Sequence, residues 1–319
     1  MYNLQQKRIF ALMMTFVLML SLVVGCTAQE GESVQTKTPQ KPRSIQYPIH
    51  LTDQANHKIT IESEPKRIVS LIPSTTEIAF ALDLKNEVVG VTANDDYPEA
   101  VKDLPKVGDF TINTEQVVAL KPDLVLASNL NSKETIDQLG NLGLKVIVTD
   151  AKSIKDVYQS INVIAQATNR KKEADELVKQ MEDKKREIFT KVHQIAPQEK
   201  NRKQVWIEID PTLYTAGGGT LLNELLTIAG GENVAEQEQG WPQISAEQVV
   251  KWNPDVIFST YGSDKEIYSR KGWNAITAVK NKQVHVIDPN LVNRPGPRLV
   301  EGLERMAQAL YPEHFQATQ

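Results

Sequence analysis

Five histidines, His50, His57, His193, His285 and His314, are the side chains best suited to metal ligation or proton transfer near neutral pH, and they are scattered without a ligand spacing. Each reads as an ordinary polar residue. Cys26 is the only cysteine, and the chain has no Gly-x-Ser-x-Gly elbow and no evident pairing of nucleophile with base. No catalytic residue, no metal site and no resident cofactor is therefore expected. What remains suits noncovalent binding. Phe110 stands in Val107-Gly-Asp-Phe-Thr111, and Trp241 lies between Gly240 and Pro242; both are aromatic rings in polar loops, outside any periodic apolar run. Tyr214 lies beside Gly217-Gly-Gly219, a run that lacks the Lys-Ser/Thr of a phosphate loop and implies only close backbone approach. Arg294, between Asn293 and Pro295, carries a planar donor fork suited to amide or carboxylate groups, with Asn290 as a neighbour; a solvated surface arginine is the plain alternative. Ser74 and Thr75 stand just before Glu77, where hydroxyls could cap a helix, touch a ligand, or do both.

Positioning these residues requires elements, and the sequence supplies them twice. Glu115-Gln-Val-Val-Ala-Leu-Lys-Pro-Asp-Leu-Val-Leu-Ala-Ser128 aligns without gaps on Glu247-Gln-Val-Val-Lys-Trp-Asn-Pro-Asp-Val-Ile-Phe-Ser-Thr260. Each copy reads as a short helix, a turn at Pro122-Asp123 or Pro254-Asp255, and a buried strand. Glu115 and Glu247 fall in the first helical turn, with Asn113 or Ser245 as cap and Gln116 or Gln248 completing a capping box. Strand-like segments at Arg67–Leu71, Val88–Val91, Leu124–Ala127 and Val146–Thr149 make one βα lobe; Gln204–Ile209, Val256–Phe258 and Gln283–Asp288 begin a second. Between them, Ser153 to His193 has no Gly or Pro and a recurrent apolar pattern, which predicts a long amphipathic helix or two helices turning near Asn169. The fold class is α/β: two βα lobes with a ligand cleft between them, joined by a long rigid helix. Ligand contacts are expected from loops at strand ends.

The chain of 319 residues divides accordingly. Lys7 and Arg8 precede the apolar run Ile9–Leu20, and Val23-Val-Gly-Cys26 resembles the lipobox of bacterial lipoproteins. Residues 1–25 are read as a signal peptide and Cys26 as the lipidated first residue; an uncleaved anchor is the alternative. Residues 26–44 form a polar tether, 45–64 an extension with a possible hairpin, 65–152 the first lobe, 153–195 the linking helix and 203–319 the second lobe. A net charge of -4 with mixed signs leaves no basic patch for nucleic acid.

At this level the sequence resembles the substrate-binding proteins of iron-siderophore, haem and cobalamin ABC importers, over residues 65–312. The resemblance rests on Arg67-Ile-Val-Ser-Leu-Ile-Pro-Ser-Thr-Thr-Glu77, Glu115–Ala127, Gly230-Gly-Glu-Asn233, Trp241-Pro-Gln-Ile-Ser-Ala-Glu-Gln248 and Arg294-Pro-Gly-Pro-Arg298. Its Ser70–Glu77 and Trp241–Gln243 stretches are most similar to the cobalamin branch. The resemblance implies reversible capture of cobalamin by a monomer anchored outside the membrane, with Phe110 and Trp241 on the corrin. It also implies delivery to an ABC permease and its ATPase, with Glu115 and Glu247 docking on permease arginines. Asn94 and Ser128 depart from it, standing where that branch often places aromatics. Two other readings stay open: a ferric siderophore or haem as ligand, which Arg294, Arg298 and Arg270 would suit, and a cell-surface α/β enzyme.

Overall fold

A computed structural model describes residues 46–198 and 202–315. The signal-peptide run, Cys26 and the tether lie outside the described residues.

The extension forms a hairpin. Strands β1 (Ile49–Thr52) and β2 (Lys58–Ile61) pair antiparallel, and their alternation buries Ile49, Leu51, Ile59 and Ile61 on one face. At the turn, the Asp53 carboxylate accepts from the Ala55, His57 and Val148 amides at 3.0, 2.7 and 2.9 Å. Because Val148 belongs to the last strand of the neighbouring sheet, the hairpin turn covers part of an edge that would otherwise be open.

Two parallel sheets follow. The first contains β3 (Ile68–Ser70), β4 (Val88–Gly90), β5 (Leu124–Ser128) and β6 (Val146–Thr149), in the order β4-β3-β5-β6. The second contains β7 (Lys203–Glu208), β8 (Gly231–Asn233), β9 (Val256–Ser259) and β10 (Val284–Val286), in the order β10-β9-β7-β8. Numbered within its own lobe, each sheet runs 2-1-3-4, so the sequence repeat is a repeat of topology. The Pro-Asp turns are repeated in detail as well. Asp123 accepts from the Lys66 and Arg67 amides at 2.8 and 3.0 Å, and Asp255 accepts from the Gln204 amide at 3.0 Å. Each aspartate thus ties the entrance of its lobe's first strand to the entrance of the third.

Strand β8 lacks an apolar pattern, and the sequence presented Gly231-Glu-Asn233 only as part of a resemblance. Pairing with β7 makes it a strand, and Gly231 is required because a Cβ there would meet Leu226 Cδ1 at 2.2 Å. Strand β10 is shorter than the Gln283–Asp288 segment read from the sequence.

The link over 153–195 is two helices, not one. Ile154–Thr168 ends at Asn169, whose left-handed backbone (φ 59, ψ 40) stops it, a conformation asparagine tolerates. Lys171–Ile195 then runs for 25 residues, about 37 Å. The first helix packs on β1 and on helix Pro73–Ala81; the second packs on helices Leu221–Ile228 and Leu299–Leu310. A central apolar core continues from one lobe through both linking helices into the other, while each sheet's far face has its own core around Val69 and Val125 or Trp206 and Trp273. Burial on both faces explains why β5 and β9 carry unbroken apolar runs.

Candidate ligand cleft

Segments leaving the C-terminal ends of the strands converge between the lobes. Residues 71–74 after β3, Thr92 and Asn94 after β4, and Leu130 and Asn131 after β5 meet Arg294 and Pro295 from the second lobe around a cavity of about 350 Å³. An adjoining hollow of about 530 Å³ shares Leu130, Asn293 and Pro295 and is closed on its far side by Ile209, Thr220 and Trp241. Three bulky apolar side chains face these hollows with little cover: Phe110 is 92% exposed, Leu130 74% and Trp241 55%. Such a group on both sides of one cleft marks a surface waiting for an apolar face of a ligand.

Local geometry explains how these side chains come to be presented. Gly108 has φ +120, and a Cβ there would meet Thr111 O at 2.2 Å, so only glycine fits. Gly108 bridges to Ile112, and the Asp109 carboxylate accepts from the Thr111 amide at 2.9 Å, which leaves Phe110 at the apex of a tight turn. Trp241 is held by the glycine run: Gly217 N donates to Gly240 O at 2.8 Å and Gly218 N to Glu238 O at 2.6 Å. A Cβ on Gly217 would come within 2.1 Å of Glu238 O, which is the close approach the run implied. Leu130 was missed in the sequence. Its setting, Asn129-Leu-Asn-Ser132, is the same apolar residue in a polar loop that singled out Phe110.

Several expected roles change. The helix expected near Glu77 begins at Pro73, capped by Ile72 without a side-chain bond, so neither hydroxyl is its cap. Ser74 does line the first cavity. Thr75 does not: its buried Oγ1 binds Ser70 Oγ at 2.7 Å and Ile72 O at 3.1 Å, and it holds the loop instead of a ligand. Tyr214 bridges to Gln243, close to Trp241, and lines neither hollow. Asn94 lines the first cavity, and Ser128, largely buried, lines the second while accepting from the Leu130 amide at 3.1 Å.

The arginines are neither solvated nor open to a ligand as a free fork. Arg294 Nη1 donates to Asp96 Oδ1 at 2.6 Å and to Glu77 Oε1 at 3.2 Å, and Nη2 donates to Asn94 O at 3.4 Å. Arg298 is bidentate to Glu77 through Nε and Nη2, at 2.9 and 2.6 Å, and lies 4.0 Å over the Tyr97 ring. Asn290 donates to Asp96 at 3.2 Å and so belongs to this interlobe contact, not to the cavity walls. Burial acts to raise the Asp96 carboxyl, but the hydrogen bond and charge of Arg294 outweigh it and hold it below the usual carboxylate range. The Glu77 hydrogen bond raises the Arg298 guanidinium. Arg270 is likewise committed, bidentate to the buried Glu208 at 2.8 and 2.9 Å. The three basic residues that would suit an anionic ligand are thus each held by carboxylates.

Glu115 and Glu247 are exposed on the first turns of the equivalent helices Thr114–Ala119 and Ala246–Trp252, and neither enters an ion pair among the described residues. Asn113 and Ser245 cap the Gln116 and Gln248 amides at 3.1 and 3.2 Å. The reciprocal half of the capping box is absent at the first site, because the Asn113 amide donates to Val107 O at 2.9 Å.

A family model described as periplasmic binding protein matches residues 68–291 of this two-lobed chain. The chain belongs to the periplasmic binding protein family. An uncharacterised ABC transporter substrate-binding lipoprotein, YvrC of Bacillus subtilis, is 43% identical over 92% of this chain and 94% of its own. A vitamin B12-binding protein of Yersinia pestis is 31% identical over 77% of this chain and 86% of its own. Among solved structures, a Staphylococcus epidermidis protein described as a "possible" iron-binding periplasmic solute-binding protein superposes with a TM-score of 0.69 at 35% identity, covering 78% of this chain and all of the other (100%). These relatives are solute-binding proteins, and this periplasmic binding protein is a binder, not an enzyme.

Proposed function

We propose that this binding protein captures cobalamin outside the cytoplasmic membrane and delivers it to an ABC permease and its ATPase. The carrying observation is the trio Phe110, Leu130 and Trp241, exposed on opposite sides of one cleft whose basic residues are all matched by acids. A broad corrin with uncharged amide edges suits such walls: apolar side chains cover its faces, and a few polar groups such as Asn94 and Ser74 meet its rim. The vitamin B12-binding relative adds support for this ligand, and the lipoprotein relative for lipidation at Cys26 as a monomer's membrane anchor. Docking through Glu115 and Glu247 completes the reading, since two equivalent acids on related lobes offer a two-point contact.

Titration calorimetry of the soluble part, from Thr27 onward, with cyanocobalamin is expected to give one site per chain. Desalted mixtures with cobalamin, haem and a ferric catecholate are expected to retain only the corrin absorption bands. Absence of heat with cyanocobalamin, beside retention of the iron or haem bands, would replace this ligand with one of the others.

A further inference from the structure

The cleft contains bases, but among the described residues none that a ligand could take without displacing a carboxylate. The charged residues lining the two hollows are Asp109, Asp150, Arg294 and Lys152. Lys152 Nζ stands 2.8 Å from Asp150. Arg294 reaches Asp96 and Glu77, and Arg298, four residues farther along the Arg-Pro-Gly-Pro-Arg loop, takes both oxygens of the same Glu77. The Glu77 side chain is only 2% exposed, so an anion that drew Arg294 and Arg298 away would leave a buried carboxylate uncompensated. The anion would also meet Asp109 in the cavity wall and Asp96, the carboxylate that Arg294 holds. Coulomb repulsion of this kind acts strongly at short range in a partly desolvated site.

We propose that Glu77 and Asp96 determine the charge specificity of the cleft: by holding Arg294 and Arg298 as counter-ions across the lobes, they admit ligands without net negative charge and reject anionic metal chelates. The proposal rests on the corrinoid reading above for the ligand that is admitted, and it adds the class that is excluded and the residues that exclude it. Neither acid is marked in the sequence as part of a cleft. Glu77 lies within a helix, and Asp96 lies in a polar loop; only the arrival of segment 294–298 from the other lobe brings them into one cluster.

The test is titration of wild type, Asp96→Asn, Glu77→Gln and a charge-matched control, Glu62→Gln, with two probes. One is the ferric complex of a tris-catecholate siderophore, a trianion; the other is cyanocobalamin, which has no net charge. Asp96 is 51% exposed, so Asp96→Asn keeps the shape and a hydrogen-bond acceptor and carries the test even if Glu77→Gln fails to fold. The affinity for the ferric chelate is expected to rise about tenfold in Asp96→Asn, the effect of one unit charge a few ångströms away in a half-exposed site. The rise should be at least as large in Glu77→Gln and absent in the control. An unchanged chelate affinity in Asp96→Asn, an equal rise in the control, or tight chelate binding by wild type overturns the proposal. If cyanocobalamin binds no form while Asp96→Asn gains the chelate, the corrinoid reading falls and the charge gate stands. If cyanocobalamin binds and no variant gains the chelate, the gate falls and the corrinoid reading stands.

Discussion

Individual side chains in this cleft separate into those that face a ligand and those that hold the facing residues in place. Phe110 and Trp241 are exposed in the cleft, on turns fixed by Gly108 and by the Gly217–Gly219 run. Thr75 is buried against Ser70 and Ile72. Trp241→Ala is therefore expected to weaken cobalamin binding roughly thirtyfold, as loss of a central aromatic anchor typically costs about 2 kcal/mol. Phe110→Ala should weaken it by a similar factor. Thr75→Ala should instead lower the melting temperature, through loss of buried hydrogen bonds contributing about 1 kcal/mol, with affinity nearly unchanged. Calorimetry beside thermal melts of the three variants checks the division. Equal affinity losses in all three would show that the aromatics act only through folding.

Among the elements, the paired helices Thr114–Ala119 and Ala246–Trp252 carry the clearest consequence of the repeat. Each is capped by its own polar residue, and each exposes a glutamate at the same position. The caps are satisfied by Asn113 and Ser245, so local helix formation does not need the glutamates beyond their favourable charge at a helix start. The double variant Glu115→Arg with Glu247→Arg is expected to abolish uptake while leaving ligand affinity within about threefold, since exposed rim charges govern docking and association more than distant binding. Single reversals should be milder. Transport assays with a melting curve for each variant test this; normal transport by the folded double variant would move the docking surface elsewhere. At the same scale, the break at Asn169 gives each linking helix its own set of neighbours, the first helix on the N-terminal lobe and the second on helices of the C-terminal lobe.

For the whole molecule, binding and anchoring should be separable, because the cleft is built wholly within residues 71–295. Cys26→Ser is expected to shift the protein from the membrane fraction to the soluble fraction without altering cobalamin affinity, since stable anchoring would depend on the lipid. Fractionation and titration of the released protein measure both. Retention of the variant in the membrane would favour an uncleaved apolar anchor.

The sequence by itself determined what depends on neighbours along the chain. Pro-Asp turns, caps at Asn113 and Ser245, and the duplicated segment at Glu115 and Glu247 are set by local sterics and hydrogen bonding and are found where they were read, whereas element ends shifted: β10 stops at Val286 and the helix near Glu77 begins at Pro73. Phe110 and Trp241 were legible because an aromatic in a glycine-rich polar loop has no local reason to be there. The same criterion would have found Leu130. Strand β8 was not legible, because Gly231–Asn233 has no period of its own and becomes a strand only by pairing with β7. The fates of Arg294, Arg298 and Asn290 were not legible either. Their partners Glu77 and Asp96 lie about two hundred residues away in the chain, as the separations of 194 to 221 positions show. Charge acts through space and not along the sequence, so only the packing of one lobe against the other decided that these groups form an interlobe cluster instead of an open anion site.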